Sequence, residues 1–171
     1  MPVRPARKVE RRIDGGQTHD ALVKAIEAAQ QHIHVEYYIF LGDRTGTRIR
    51  DALIERARAG VKVRVLLDGI GSRLSGKFTK PLKEAGAELA FFHPVRWWMT
   101  FFARPKINMR SHRKIVTCDG TVGFTGGINV TDDGNHQLQD DAFNDLHMRL
   151  KGEGVSWLRS ALLVDWQCTA Q

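Results

Sequence analysis

The chain has 171 residues, which is enough for one domain with a hydrophobic core and too few for two ordinary domains. Hydrophobic residues make up 42% of the sequence, so an intrinsically disordered polymer is excluded. The 26 Lys and Arg residues outnumber the 19 Asp and Glu residues, and the net charge of +7 favours an anionic partner, either nucleic acid or an anionic membrane surface.

The first half of the chain alternates between strand and helix patterns. A basic arm over residues 1–8 precedes the single domain predicted for residues 9–171. The predicted elements are, in chain order, a strand near residues 9–14, a helix with Thr18 as its N-cap, a buried strand over 32–40, a loop over 42–47, a helix from Ile49 that stops at Gly60, a strand over 61–67, a helix over 77–84 and a strand over 87–92. This alternation implies a parallel sheet covered on both faces.

The pattern changes after residue 93. Residues 113–118 and 121–124 predict two strands joined by a turn at Asp119-Gly120, which makes a β-hairpin. A polar loop over 131–144 and a strand over 146–151 follow. The final predicted helix carries on one face Val155, Leu158, Leu162 and Trp166. The predicted fold class is therefore α/β, with a mixed β-sheet flanked by helices on both faces.

Three further patterns narrow the class of protein. Two cysteines, Cys118 and Cys168, are too few for a disulfide framework and lack zinc spacing, so a reducing compartment is expected. No apolar run follows the basic start, so no secretory signal is expected. The apolar stretch over residues 97–103 is too short for a bilayer, which takes about 20 residues to span.

The sharpest chemical signal lies at the start of the predicted hairpin. His112 and Lys114 are two residues apart on a strand, so their side chains share one face. The ammonium can bind a phosphate oxygen while the imidazole attacks phosphorus or donates a proton. The hairpin returns Asn129 toward His112, where its amide and glycine N–H groups can bind further phosphate oxygens. No metal or other cofactor is expected, because Lys114 and Asn129 can stabilise the charge.

These residues carry a family resemblance. The pattern His112-x-Lys114-x-x-x-x-Asp119, followed by Gly126-Gly127-x-Asn129, is similar to the signature of the phospholipase D superfamily. The Gly-Gly pair stands where the nuclease branch more usually has Gly-Ser, which favours the lipid-synthase branch. Further segments resemble bacterial cardiolipin synthases, and they cover residues 34–40, 63–69, 108–116, 122–129 and 145–150.

The resemblance implies a role for each site residue. His112 would be the nucleophile that forms a phosphohistidine. Lys114, Gly127 and Asn129 would bind the phosphate. Asp145 matches an acidic residue that accepts the other ring N–H of the catalytic histidine and orients it. These roles make the predicted site a metal-free phosphodiester-transfer centre.

Other polar residues have competing interpretations. Asp119 belongs to the catalytic motif, but its place in an Asp-Gly turn favours a structural role in the hairpin. Glu36 and Asp68 end or lie on buried strands, where a structural salt bridge is favoured over a site role. Four histidines are predicted to be surface or loop residues, namely His19, His32, His93 and His136.

An aromatic and basic segment precedes the catalytic strand. Its large apolar residues are Trp97, Trp98, Phe101 and Phe102, with basic residues on both sides. A core segment or a partner interface would explain such a stretch. The absence of periodicity favours instead an interfacial element for membrane contact or substrate entry.

The second motif of the related enzymes is absent, because His34 is followed by Glu36 and His147 by Arg149. Two copies could pair in a twofold dimer, or the chain could be the N-terminal half of a longer enzyme. The chain stops just after the predicted first-half helix, which favours a fragment or an abbreviated form.

The resemblance implies a phosphatidyltransferase of the cardiolipin synthase type, which transfers a phosphatidyl group between phosphatidylglycerol molecules. Its expected partners are an anionic membrane and a second motif-bearing half. The expected location is peripheral, on the cytoplasmic face of the bacterial inner membrane. One alternative is a homodimeric single-motif nuclease, whose basic charge would bind the phosphate backbone of nucleic acid. Nucleic acid is the less favoured partner. Another is an inactive half-site that only binds membranes.

Overall fold

The structure, a computed structural model, describes residues 8–12, 14–92, 112–135, 137–140, 142 and 145–170. The strands in these ranges are β1 Lys8–Arg12, β2 His32–Tyr37, β3 Lys62–Asp68, β4 Glu88–Phe92, β5 Lys114–Cys118, β6 Val122–Gly126 and β7 His147–Lys151. The α-helices are α1 Gly15–Ala28, α2 Arg44–Arg58, α3 Gly76–Glu84 and α4 Val155–Thr169. A short 3-10 helix spans Asp132–Gly134 within the predicted polar loop.

The strands form one mixed sheet in the order β1-β7-β6-β5-β2-β3-β4. Strands β2, β3 and β4 are parallel, as the alternating first half predicts, and β5 pairs antiparallel with β2. The antiparallel hairpin of β5 and β6 turns at Asp119 and Gly120, whose φ angles are 51° and 65°. Two consecutive positive φ angles are typical of a type I′ hairpin turn, which the Asp-Gly pair favours. The predicted α/β class is confirmed.

Helices cover both faces of this sheet. Val65 of β3 lies in the main hydrophobic core together with Leu22 of α1 and Leu53 of α2. Its neighbour Arg64 points to the opposite face, because side chains alternate along a strand, and there its guanidinium lies 5.5 Å from the ring of Trp166 in α4. The sheet is therefore sandwiched between the N-terminal helices and the last helix.

Helix α1 begins earlier than the sequence predicts. Its N-cap is Asp14, whose carboxylate accepts hydrogen bonds from the N–H groups of Gly16 and Gln17, so the prediction of Thr18 is wrong. A Cβ on Gly15 would lie 1.9 Å from the carbonyl oxygen of Gly134. The close approach of the helix to the 131–135 loop requires glycine here. Because glycine has a low helix propensity, the sequence pattern does not predict the first turn of α1.

Helix α2 also begins inside a predicted loop. Its N-cap, Asp43, accepts a hydrogen bond from the N–H of Gly46 and a second from the N–H of Asp132. Asp132 returns the interaction by accepting a hydrogen bond from the N–H of Thr45. These reciprocal bonds fix the start of α2 to the loop that follows β6, which a local pattern cannot reveal.

Within the described residues, no helix combines the length and apolarity that crossing a bilayer needs. The segment that holds Trp97, Trp98, Phe101 and Phe102 lies outside the described residues, as do His93 and His136. The proposed membrane or substrate-entry role of that segment therefore stays a prediction.

One stability prediction follows from His34, which lies in β2 with 1% of its surface exposed. Its pKa is lowered to about 4, mainly by burial and next by the electrostatic effect of the neighbouring His32. The unfolded chain binds a proton at this imidazole near pH 6.5, so between pH 6.5 and 4 the unfolded state takes up more protons than the folded state. Above pH 6.5 the imidazole is neutral in both states and does not reduce stability. As the pH falls from 6.5 to 4, we expect the free energy of unfolding to decrease by about 3 kcal/mol.

Urea denaturation at pH 7, 5.5 and 4 measures this dependence. His34→Gln is the control, because its amide does not titrate, and its profile should be flatter than that of the parent protein. Equal pH profiles for the two proteins would contradict the buried, neutral state of His34.

Candidate active site

The predicted site residues meet at one edge of the sheet. Tyr37 at the end of β2 lies opposite Lys114 at the start of β5, and Gly126 at the end of β6 lies opposite His147 at the start of β7. The antiparallel register therefore gathers His112, Lys114, Gly127, Asn129 and Asp145 beyond the same strand ends. Ligands in open α/β sheets bind at such an edge.

Lys114 is the buried cation of this edge, with 8% of its surface exposed. Its Nζ donates a hydrogen bond of 2.9 Å to the carbonyl oxygen of His112 and lies 5.7 Å from the ring centre of Tyr38. Burial lowers the pKa of Lys114, and the Asp145 carboxylate opposes that shift. The ammonium is thus held in place with few water contacts, which strengthens its attraction for an anionic ligand.

His112 is exposed and stacks on the ring of Tyr38, a residue outside the catalytic motif. The imidazole and the ring of Tyr38 have centroids 4.0 Å apart and an interplanar angle of 24°. The stack sets the plane of the exposed imidazole against Tyr38. Tyr38 directly follows β2, which ends at the same edge as the start of β5, so its place in the site becomes apparent only once the pairing of these strands is known.

Asn129 is held by its backbone and by its side chain. Its carbonyl oxygen lies 2.9 Å from Nε2 of His19, and its Oδ1 accepts a hydrogen bond of 3.4 Å from the N–H of Ile39. An amide whose oxygen already accepts leaves its NH₂ group as the donor for a ligand. His19 is only 2% exposed, so the prediction that it is a surface or loop residue is wrong. Its contact to Asn129 spans 110 positions of the chain, too far for a local pattern to show.

Gly127 provides space for the Asp145 carboxylate. A Cβ on Gly127 would lie 2.1 Å and 2.2 Å from the two carboxylate oxygens of Asp145. The N–H of Gly127 donates a hydrogen bond of 2.8 Å to the carbonyl oxygen of Leu146, so the predicted phosphate contact from this N–H would require that bond to open. Among the described residues, no hydrogen bond joins Asp145 to His112, and the orienting role of Asp145 stays a prediction.

Asp119 lies at the opposite end of β5 from His112, separated by a five-residue strand of about 17 Å. Its carboxylate accepts three backbone hydrogen bonds, from Gln30 and Gln31 at 2.8 Å and from His32 at 3.0 Å. Burial alone would raise the pKa of Asp119, but these donors outweigh it and hold the pKa below its ordinary value. The structure does not bring this member of the motif to the site.

Two buried acids, Asp68 and Glu36, lie near the site edge. Asp68 ends β3, and its carboxylate accepts hydrogen bonds of 2.8 Å from the N–H groups of both Ile70 and Gly71. It therefore fixes the turn after the strand. Glu36 of β2 is also buried.

A cleft of about 440 Å³ opens beside the gathered residues. Gly127, Asn129 and Asp145 line it on the polar side, while apolar walls come from Ile39, Leu41 and Ile128. Within the described ranges, no group of three or more His, Cys, Asp or Glu side chains is placed to hold a metal ion. The chemistry available at this edge comes from an imidazole, an ammonium, an amide and a carboxylate, which suits an anionic phosphodiester.

Comparison with known proteins identifies the family of the chain. The family model described as "Cardiolipin synthase, PLD-like domain" matches residues 22–147. Cardiolipin synthase 1 of Bacillus cereus is 42% identical over 155 residues, which cover 90% of this chain and 30% of that protein. The major cardiolipin synthase of Bacillus subtilis is 40% identical over 158 residues, 90% of this chain and 32% of that protein. The chain thus spans about a third of the length of these relatives.

The fold has a close structural counterpart. Nuc from Salmonella typhimurium, a phospholipase D family member, superposes with a TM-score of 0.70 over 95% of this chain and 97% of that one, at 16% identity. At this low identity the likeness establishes the fold alone. Because the family model extends over well over half of the residues, the chain belongs to the cardiolipin synthase family with a phospholipase D-like domain.

Proposed function

We propose that this protein supplies one of the two motif-bearing parts of a phosphatidyltransferase that makes cardiolipin from phosphatidylglycerol. The observation that carries the proposal is that the buried ammonium of Lys114, bonded to the carbonyl oxygen of His112, lies at the same sheet edge as the cleft that Asn129 and Asp145 line. A nucleophile next to a fixed cation is what phosphodiester transfer through a covalent intermediate needs.

The proposed reaction has two displacements. A ring nitrogen of His112 attacks the phosphorus of one phosphatidylglycerol, and the bond from phosphorus to the headgroup glycerol breaks. A histidine of the second motif-bearing half protonates the leaving glycerol. That histidine then removes a proton from the hydroxyl of a second phosphatidylglycerol, which attacks the phosphohistidine and releases cardiolipin. Lys114 and Asn129 bind the non-bridging phosphate oxygens, Asp145 orients His112, and Asp119 supports the hairpin.

The second half comes either from another copy of this chain or from further residues of a longer chain. The proposal is tested by incubating the protein with phosphatidylglycerol vesicles and measuring cardiolipin and free glycerol in equal amounts. Size determination in solution, before the assay, identifies whether the active species holds two motifs. Cleavage of DNA without any lipid product would replace the proposal with the nuclease alternative.

Activity is expected to be independent of metal ions. The charge on the phosphate is neutralised by Lys114 and by the Asn129 amide in this mechanism, so no cation is needed. Cardiolipin formation should be the same with and without excess chelator. An activity that chelator removes and zinc or magnesium restores would contradict the mechanism.

We also predict peripheral binding to anionic membranes, consistent with a position on the cytoplasmic face of the inner membrane. The excess of basic residues attracts the protein to the surface, by about 1 kcal/mol for each Lys or Arg close to it. Trp97, Trp98, Phe101 and Phe102 would add apolar insertion. Co-sedimentation with phosphatidylglycerol vesicles should therefore weaken with salt and in the Trp97→Ser, Trp98→Ser double variant. A double variant that binds as well as the parent protein would assign this segment to the core or to a partner interface.

A further inference from the structure

We infer that His19 is a positioning residue for the reaction, acting through Asn129. This inference rests on the proposed function, because it takes Asn129 as a ligand of the phosphate. It adds a residue that belongs to no part of the motif and lies more than a hundred positions away in the chain.

The contact is direct and partly buried. Nε2 of His19 lies 2.9 Å from the carbonyl oxygen of Asn129, and a carbonyl oxygen can only accept. The imidazole must therefore carry a proton on Nε2 and donate a hydrogen bond to the carbonyl oxygen of Asn129. His19 is 2% exposed, so water cannot replace it as donor without reorganising the helix that carries it.

Helix α1 holds this donor rigidly against the loop that follows Asn129. The Cβ positions of Gly15 and Gly16 would lie 1.9 Å from the Gly134 carbonyl oxygen and 2.6 Å from Oδ1 of Asn135. The first turn of α1 is thus packed directly on that loop. Since His19 lies one turn further along the same helix, its ring has little freedom to move relative to Asn129.

The direction of the Asn129 amide depends on this anchor. Its Oδ1 is engaged by the N–H of Ile39, and the backbone on the other side is engaged by His19. With both ends fixed, the NH₂ group is presented into the cleft in one orientation before any ligand binds. Such preorganisation lowers the cost of binding a phosphate and its transition state.

Burial disfavours the charged form of His19, and the neutral imidazole can still make the contact when its proton is on Nε2. Desolvation lowers its pKa, while the hydrogen bond to Asn129 opposes the shift. A neighbouring histidine, His147, is likewise buried, with a pKa lowered to about 4 mainly by desolvation and next by the electrostatic effect of His19. Two neutral imidazoles therefore lie behind the phosphate-binding edge, and His19 makes the contact to Asn129.

The test compares donor-free and donor-retaining variants. His19→Leu removes the donor at similar volume, and His19→Met does so with a more adaptable side chain in case the leucine variant fails to fold. His19→Gln keeps an N–H donor near the position of Nε2. We expect the donor-free variants to bind inorganic phosphate about tenfold more weakly by calorimetry, the effect of losing one buried hydrogen bond, and the glutamine variant to bind within about threefold of the parent.

Two further measurements separate positioning from general stability. Ile26→Val weakens the core of the same helix without reaching Asn129, and it should leave phosphate affinity unchanged. In an Asn129→Ala background, His19→Leu should cost no further affinity, because the effect passes through Asn129. Additive losses, or equal phosphate affinity in the donor-free variants and the parent, would overturn the inference.

The phosphate measurement does not depend on the transferase proposal. If the donor-free variants bind phosphate weakly and glutamine restores binding, the role of His19 stands even when no cardiolipin is formed. If cardiolipin is formed at the parental rate and KM in the donor-free variants, the inference fails while the proposed function stands.

Discussion

His112→Ala and Lys114→Ala are each expected to abolish phosphodiester chemistry in any active form of the enzyme. The first variant removes the nucleophile, so no phosphohistidine forms, and loss of a nucleophile typically costs several orders of magnitude in kcat. The second removes the buried ammonium that lies beside it. Cardiolipin formation from phosphatidylglycerol measures both, and trapping of labelled lipid on the protein detects the intermediate directly.

Arg113→Ala is the matched control for these variants. Arg113 lies between the two residues in sequence and pairs with Asp165 of α4 at the protein surface. Exposed ion pairs contribute little, so this variant should keep most of the activity. If His112→Ala retained more than roughly a tenth of the parental turnover, His112 could not be the nucleophile.

Gly127→Ala should also impair the enzyme strongly, although it removes no functional group. The new methyl group would occupy the place of the Asp145 carboxylate, 2.1 Å from one of its oxygens. Either Asp145 or the segment between β6 and Asn129 must move. A displacement of about 1 Å at a reacting centre can cost on the order of a hundredfold in kcat/KM. We expect such a loss, together with a lower melting temperature.

Gly76→Ala provides the comparison, because a Cβ at Gly76 meets no atom within 4 Å. It lies in the first turn of α3, where alanine is the better helix former, so stability should be unchanged or slightly higher. Parental kcat/KM in Gly127→Ala would mean that the carboxylate of Asp145 does not need its observed position.

Local patterns predict much of this molecule. The Asp119-Gly120 turn predicts the hairpin of β5 and β6, and the motif predicts that Lys114 lies on the first of its strands. His112, predicted on the same strand, lies two residues before β5. The mixed sheet follows from alternation in the first half and the hairpin in the second. These features depend on residues close together in the chain, where backbone preference and periodicity act.

Contacts between distant segments could not be predicted in the same way. Tyr38 stacks on His112, and His19 contacts Asn129, across long stretches of chain. The early start of α1 depends on a glycine that packs against a loop more than a hundred residues away. A single sequence has no local signal for such pairs, since they arise only when the strand order is known.

The contact of the Asp119 carboxylate with the start of β2 has a consequence for the order of folding. Its three hydrogen bonds to residues 30–32 close loops of 87 to 89 residues, and β5 inserts beside β2 at the same time. Closing so long a loop is entropically unfavourable until the strand pairing rewards it, so this step should be slow compared with formation of the β2-α2-β3 unit. A nascent chain can therefore assemble its parallel strands early, while the edge that carries His112 and Lys114 is completed only after the hairpin has docked.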